Sequence, residues 1–246
     1  MSVRALVFDL AGVLLEFGGP EYVYAKSNGR VDEDAYFRFW SEAKCAHDLH
    51  CGRTSPEEFA REAVREFGLT VTPETFLADY KTWFRGPYAG ALELVEGLRS
   101  RYRVACLSNA NVLDVTRFKE ETRLQNRFDE CFYSNELGLR KPDPAAYLHV
   151  CKALALAPGE IAFFDDSLEN VNGAIAVGMD GHHVNGFADL TVVLGRLGLF
   201  QNLGSAGGAG RGRPGHARRS ASRTRVVRTE AGRGSPATGP VLTEVF

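Results

Sequence analysis

The stretch ALVFDLAGVLLEF, residues 5–17, decides the fold. Residues 3–9, VRALVFD, form a short apolar run that stops on Asp9. Such a run, without polar alternation, marks a strand buried on both faces, as in parallel sheets. The same design recurs twice downstream. YRVACLSN (102–109) ends on Ser108 and Asn109, and EIAFFDD (160–166) ends on two carboxylates, Asp165 and Asp166. FDECFYS (128–134) and GHHV (181–184) are further strand candidates. Helical patterns fill 91–101, 143–156 and 167–177. Pro142 and Pro144 stand at the start of the second, and Gly178 follows the third as a cap. Strand alternating with helix predicts an α/β fold with a parallel sheet.

Residues 17–86 break that rhythm. They are rich in charge and aromatics, with helical periodicity at 33–45, 56–67 and 73–84. Ser55-Pro56-Glu57-Glu58 reads as a helix start. The segment is read as an all-helical cap inserted after the first strand, and Gly86-Pro87 marks the return to the sheet. The core is then residues 1–16 and 87–203. Tyr36, Phe37, Phe39 and Trp40 are expected in the core of the cap rather than in a ligand box. From Gly204 the composition changes. Residues 204–246 hold nine glycines and eight arginines with a single aromatic, Phe246. Such a tail cannot bury enough apolar surface to offset chain entropy, and disorder is expected.

The net charge of −2 hides an asymmetry. The tail carries +6, so residues 1–203 carry −8. An acidic body argues against general nucleic-acid binding. The basic tail alone points the other way, and it has no interleaved aromatics for base stacking. With 44% hydrophobic residues the chain can bury a sizeable core, and no run approaches the roughly 18 apolar residues of a membrane span. Five scattered cysteines without a CxxC, and an N-terminus unlike a secretory signal, point to reduced thiols in a cytoplasmic protein.

In an open parallel sheet, ligands bind beyond the carboxyl ends of the strands. Asp9, Ser108, Asn109, Asp165 and Asp166 are all expected there, and Lys141, in GLRKPDP, can reach in from a loop. Three aspartates repel one another unless a cation sits among them, and oxygen ligands suit Mg²⁺. A carboxylate beside such an ion and a lysine can attack phosphorus, while hydroxyl, amide and ammonium groups hold the phosphoryl oxygens. Alone, Asp9 would read as a helix N-cap, Ser108 and Asn109 as turn residues, and Lys141 as a surface lysine.

Four segments in order, FDLAGVLLEF, CLSNA, LRKPDP and FFDDSLENVNGAIAVGM, resemble the motifs of the haloacid dehalogenase-like hydrolase superfamily. The resemblance covers residues 3 to about 200. LGLRKPDPAAYLHV and FFDDSLEN are similar to the branch with α-D-glucose-1-phosphate phosphatases and to the phosphatase domain of soluble epoxide hydrolases. The resemblance implies a Mg²⁺-dependent hydrolase of a small phosphorylated metabolite, a sugar phosphate in the first instance. It implies Asp9 as nucleophile through an aspartyl-phosphate and Ser108, Asn109 and Lys141 as phosphate holders. Asp9, Asp165, Asp166 and the Ala11 backbone carbonyl would serve the metal. The family's usual acid/base, two residues after the nucleophile, is replaced by Ala11. Glu16, His47 or His50 could substitute.

Two other readings share these residues. A 2-haloacid dehalogenase would use the aspartate against carbon without metal, which leaves the acidic pair unexplained. A catalytically impaired phosphate-ligand-binding protein would explain Ala11. CAHDLHC (45–51) raises zinc, but on a helix Cys45 does not share a face with His47, and the spacing lacks the usual zinc pattern.

Overall fold

The computed structural model describes residues 2–121 and 124–200; the tail expected to be disordered, 204–246, lies outside the described residues. The chain enters through β1 (Ala5–Phe8) and β2 (Leu15–Phe17). Five helices follow: α1 (Gly19–Lys26), α2 (Glu33–Glu42), α3 (Lys44–His50), α4 (Pro56–Phe67) and α5 (Pro73–Tyr80). β3 (Phe84–Pro87) returns antiparallel to β2. Then come α6 (Ala91–Arg99), β4 (Arg103–Ser108), α7 (Val112–Thr116), β5 (Glu130–Tyr133) and α8 (Ser134–Leu137). The chain continues with α9 (Pro144–Leu154), β6 (Ile161–Asp165), α10 (Leu168–Ala176), β7 (Asp180–His183) and α11 (Gly186–Arg196).

β5-β4-β1-β6-β7 form a parallel sheet with β1 at its centre, so the fold is Rossmann-like α/β. All four residues of β1 are buried. Strand side chains alternate between faces, and the core divides accordingly. Leu6 and Phe8 join Val104, Cys106, Ala162 and Phe164 on one face, packed on Leu94 and Leu98 of α6 and Leu190 and Leu194 of α11. Ala5 and Val7 join Ala105, Leu107, Ile161 and Phe163 on the other, under Tyr147, Val150 and Leu154 of α9. The unbroken apolar runs in the sequence are the consequence of burial on both sides.

The helices between β2 and β3 have a core of their own, built on Tyr36, Phe39, Phe59, Phe67, Phe76, Tyr80 and Trp83. Ser55 and Glu58 form the expected capping box at the start of α4. Three expectations need correction. The helical pattern over 73–84 stops with α5 at Tyr80, and Phe84 already belongs to β3. The periodicity over 33–45 is not one helix: α2 stops at Glu42, Ala43 is extended, and α3 restarts at Lys44. Phe37 is not a core residue; it is 54% exposed, while its neighbour Tyr36 is buried. The β2–β3 ribbon and α11 were not anticipated. A three-residue strand carries too little periodicity to be seen.

Phe8 and Phe164 stack across adjacent strands, with centroids 5.1 Å apart. Phe164→Ala removes a fully buried ring at the sheet centre. It is expected to cost about 3–5 kcal/mol, read as a lowered midpoint in urea unfolding with unchanged slope.

Candidate active site

The order of the strands brings the polar residues together. β4 and β6 flank β1, and all three run parallel, so their carboxyl ends share one edge. Asp9 follows β1 directly and its N–H donates to the Phe164 carbonyl at 2.8 Å. Ser108 is the last residue of β4 and Asp165 the last of β6. Lys141 arrives from the loop before α9. Its backbone is held at both ends by Asn109: Lys141 N–H donates to Oδ1 at 2.8 Å, and Nδ2 donates to the Lys141 carbonyl at 2.9 Å. The Asn109 side chain therefore fixes the lysine loop and has one amide hydrogen left for a ligand.

Lys141 is 1% exposed. Its Nζ donates to Asp165 Oδ2 at 2.6 Å and lies 2.8 Å from Asp9 Oδ1, an ion pair outside hydrogen-bond geometry. Burial alone would lower the lysine pKa, but the charges of Asp165 and Asp9 outweigh it and hold the ammonium protonated. Asp165 is fully buried and satisfied on both oxygens. Beside Lys141 it accepts from the Ser167 N–H at 2.8 Å and from Asn170 Nδ2 at 3.0 and 3.2 Å. Its geometry orients the lysine. Burial pushes the Asp9 carboxyl up to about 6; Lys141 opposes that rise and Asp165 adds to it.

Asp166 stands at the outer side of this group. Its surface is open to solvent, yet the protein packed around its head group and the charges of Asp9 and Asp165 push its carboxyl up to about 8. Sequence reasoning missed Gly12. It has φ +74, and a Cβ there would come within 2.0 Å of Asp166 Oδ2. Only glycine leaves room for that carboxylate while adopting this backbone. One oxygen from each of Asp9, Asp165 and Asp166 lies within 4.8 Å of the others, and among the described residues this is the one such group able to hold a metal ion. Three oxygen donors, two of them pushed toward protonation by burial and then by the charges of neighbouring carboxylates, suit a hard divalent cation. Cys45, His47, His50 and Cys51 form no such group, so the zinc reading gains nothing.

A cleft of about 400 Å³ opens over these residues. Its floor includes Asp9, Ala11, Ser108, Asn109, Lys141 and Asp166, and α2 contributes Tyr36, Phe37 and Trp40. Of the groups considered as substitutes for the missing acid, only His50 lines the cleft. Glu16 lies on β2 at the surface, and His47 Nε2 is engaged by the Ser41 carbonyl. The imidazole of His50 is 8% exposed and held neutral, pushed down to about 3 by burial and by the charges of Arg140, His47 and Lys141. It is a poor proton donor at neutral pH. Asp114 also lines the cleft, unanticipated from sequence. It accepts from Asn111 Nδ2 at 2.6 Å and from the Tyr80 hydroxyl at 3.3 Å, and burial pushes it up to about 7. No described helix is long and apolar enough to cross a membrane.

A family model described as haloacid dehalogenase-like hydrolase matches residues 3–178. The chain is 26% identical over 203 residues to the D-ribitol-5-phosphate phosphatase of Bacteroides thetaiotaomicron, covering 78% of this chain and 98% of that protein. It is 29% identical over 192 residues to a phosphatase of Mycobacterium tuberculosis, covering 75% and 88% respectively. A solved structure of a haloacid dehalogenase family enzyme from Bacteroides thetaiotaomicron, in complex with magnesium and inorganic phosphate, shares the fold. The TM-score is 0.62 at 22% identity, covering 78% of this chain and 99% of that one.

Lys141→Met would leave the Asp9 and Asp165 carboxylates buried without their ammonium. Breaking a buried pair costs about 3–5 kcal/mol. The loss is expected in full at about pH 8 and smaller at about pH 5, because Asp9 takes up a proton below its raised pKa and relieves the repulsion. Urea titrations of both proteins at the two pH values measure the difference.

Proposed function

Because the chain belongs to the haloacid dehalogenase-like hydrolase family, we propose that it is a Mg²⁺-dependent phosphomonoesterase in which Asp9 is the nucleophile. The observation that carries this reading is the cluster of Asp9, Asp165 and Asp166 around the ammonium of Lys141. Asp9, Asp166 and the Ala11 backbone carbonyl would hold the ion, with Asp165 supporting them. Bound there, Mg²⁺ supplies positive charge to the phosphoryl oxygens and offsets the repulsion between the carboxylates.

Asp9 attacks phosphorus. A bond forms from its carboxylate oxygen as the bond to the ester oxygen breaks, giving an aspartyl-phosphate and the departing alcohol oxygen. Lys141, Ser108 and the free amide hydrogen of Asn109 hold the phosphoryl oxygens, and Asp165 keeps the lysine charged and aimed. Water then attacks the aspartyl-phosphate, releasing phosphate and restoring Asp9. The chain offers no carboxyl at position 11 to protonate the leaving oxygen. This favours esters whose alcohol leaves readily.

The helices of residues 17–86 act as a cap whose cleft-facing side chains exclude water and select the leaving group. The substrate is a small phosphomonoester, and a phosphorylated sugar or polyol fits both the cleft size and the named activity of the ribitol-5-phosphate relative. The acidic pair at the end of β6 favours metal-assisted phosphoryl transfer over attack on carbon.

Asp9→Asn should reduce turnover of a panel of sugar and polyol phosphates to the assay background, with the fold retained by circular dichroism. Turnover that survives the substitution would reject the nucleophile. Ala11→Asp should raise kcat by up to about 10²–10⁴-fold for alkyl phosphates and much less for p-nitrophenyl phosphate. Equal gains on both would mean that leaving-group protonation is not what Ala11 lacks. Mg²⁺ must displace protons from carboxyls raised to about 6 and about 8. Its apparent affinity should therefore climb between about pH 5.5 and about pH 8.5, with protons released in calorimetry.

A further inference from the structure

Arg140 and Lys141 are consecutive but serve opposite sides of the cleft. Lys141 Nζ goes down to the carboxylates at the strand ends. Arg140 goes up: its Nη2 donates to the Trp40 carbonyl of α2 at 3.2 Å. The guanidinium is half-buried, and among the described residues no carboxylate lies within ion-pair distance of it. Its Nε–H is buried without a hydrogen-bond partner. Burial works against its charge, and Cys51 and, less strongly, Glu169 act the other way. His50 faces the same cleft, stacked on Trp40 with ring centroids 5.1 Å apart, and its Nδ1 is likewise buried and unpartnered.

Half-buried cations are normally paired, because desolvation without a counter-charge is costly. Here the spare capacity of two side chains gathers beside Trp40 on the cap side of the cleft. Arginine suits this role because its planar fork matches the two oxygens of a carboxylate or phosphate. A neutral imidazole adds a hydrogen bond without adding repulsion to the arginine.

We propose that Arg140 and His50 form a second oxyanion subsite, which binds a carboxylate or second phosphate on the leaving-group half of the substrate. The inference rests on the phosphomonoesterase reading and narrows it. The preferred ester carries its transferable phosphoryl group at one end and another anionic oxygen group at the other, as a phosphorylated hydroxy acid or sugar acid does. The aromatic rings of Phe37 and Trp40 then flank the carbon chain between them.

The test uses matched esters that differ only in a carboxylate against a hydroxymethyl group: 3-phosphoglycerate with glycerol 3-phosphate, and 6-phosphogluconate with sorbitol 6-phosphate. Bisphosphates of the same carbon chains serve as the second-phosphate arm. Dissociation constants are measured by calorimetry with Mg²⁺ on the Asp9→Asn protein, so that binding is read without turnover. At least one anionic ester should bind about 10- to 100-fold tighter than its neutral partner, the range of a charge-assisted hydrogen bond. Arg140→Met in the same background should bring that ratio close to one. His50→Phe keeps the stack on Trp40 and should reduce the ratio by roughly 3- to 10-fold, which covers the case in which Arg140→Met does not fold. Equal affinities within every pair, or a preference that persists in the substituted proteins, would overturn the subsite. A preference in binding with no turnover of any ester by the unsubstituted protein would sink the phosphatase reading and leave the subsite standing.

Discussion

The site depends on one charge imbalance. Three carboxylates converge at the ends of two neighbouring strands, and one buried ammonium answers them. Lys141 cannot balance three charges. Burial first, and then the charges of the neighbouring carboxylates, push Asp9 and Asp166 upward, and the crowded oxygens make the place attractive to a divalent cation. Everything near by serves this arrangement. Asn109 grips the lysine backbone from both sides, and Asn170 and the Ser167 N–H hold Asp165. Asp165 has no oxygen left idle, whereas Asp9 keeps an oxygen outside hydrogen-bond geometry.

The strand ends were legible because burial on both faces removes alternation from a sequence. ALVF, RVACLS and IAFFD each run apolar up to a polar residue, and the parallel register then sets those residues side by side. The convergence of Asp9, Ser108 and Asp165 thus follows from pattern and topology. Lys141 needed the motif as well, since an isolated lysine in a loop says nothing about burial. What stayed hidden was set by contacts distant in sequence. Gly12 looks like any turn glycine until Asp166 is found against its Cα hydrogens. Arg140 reads as a surface residue until α2 places the Trp40 carbonyl above it. The split at Ala43 was invisible because helical periodicity continues across it in the sequence.

The helices between β2 and β3 show a division of labour inside one short element. In α2, Tyr36 and Phe39 are buried while Phe37 is exposed, so successive residues face core and cleft in turn. Tyr36 does both, since its ring stacks on Phe67 and also reaches the cleft wall. An aromatic cluster read as core from its density is therefore core and wall together. Rigid packing behind the wall gives a cleft that can discriminate by shape, because the lining rings have little freedom to move aside.

The alanine at position 11 changes what the rest of the cleft must supply. A leaving oxygen without an acid beside it departs with negative charge, and the barrier falls only if the alcohol is acidic or positive charge stands close. His50 does not fill the gap as an acid, because burial first, and then the charges of Arg140, His47 and Lys141, keep it unprotonated. A cation with no carboxylate at ion-pair distance among the described residues remains on that side: Arg140. Its field favours charge on the leaving half of the substrate in the ground state, and it also lowers the cost of charge appearing on the ester oxygen. A site without the acid at position 11 and with an arginine on the cap side of the cleft is thus internally consistent. Binding energy from a remote anion would be traded for the proton that position 11 no longer provides.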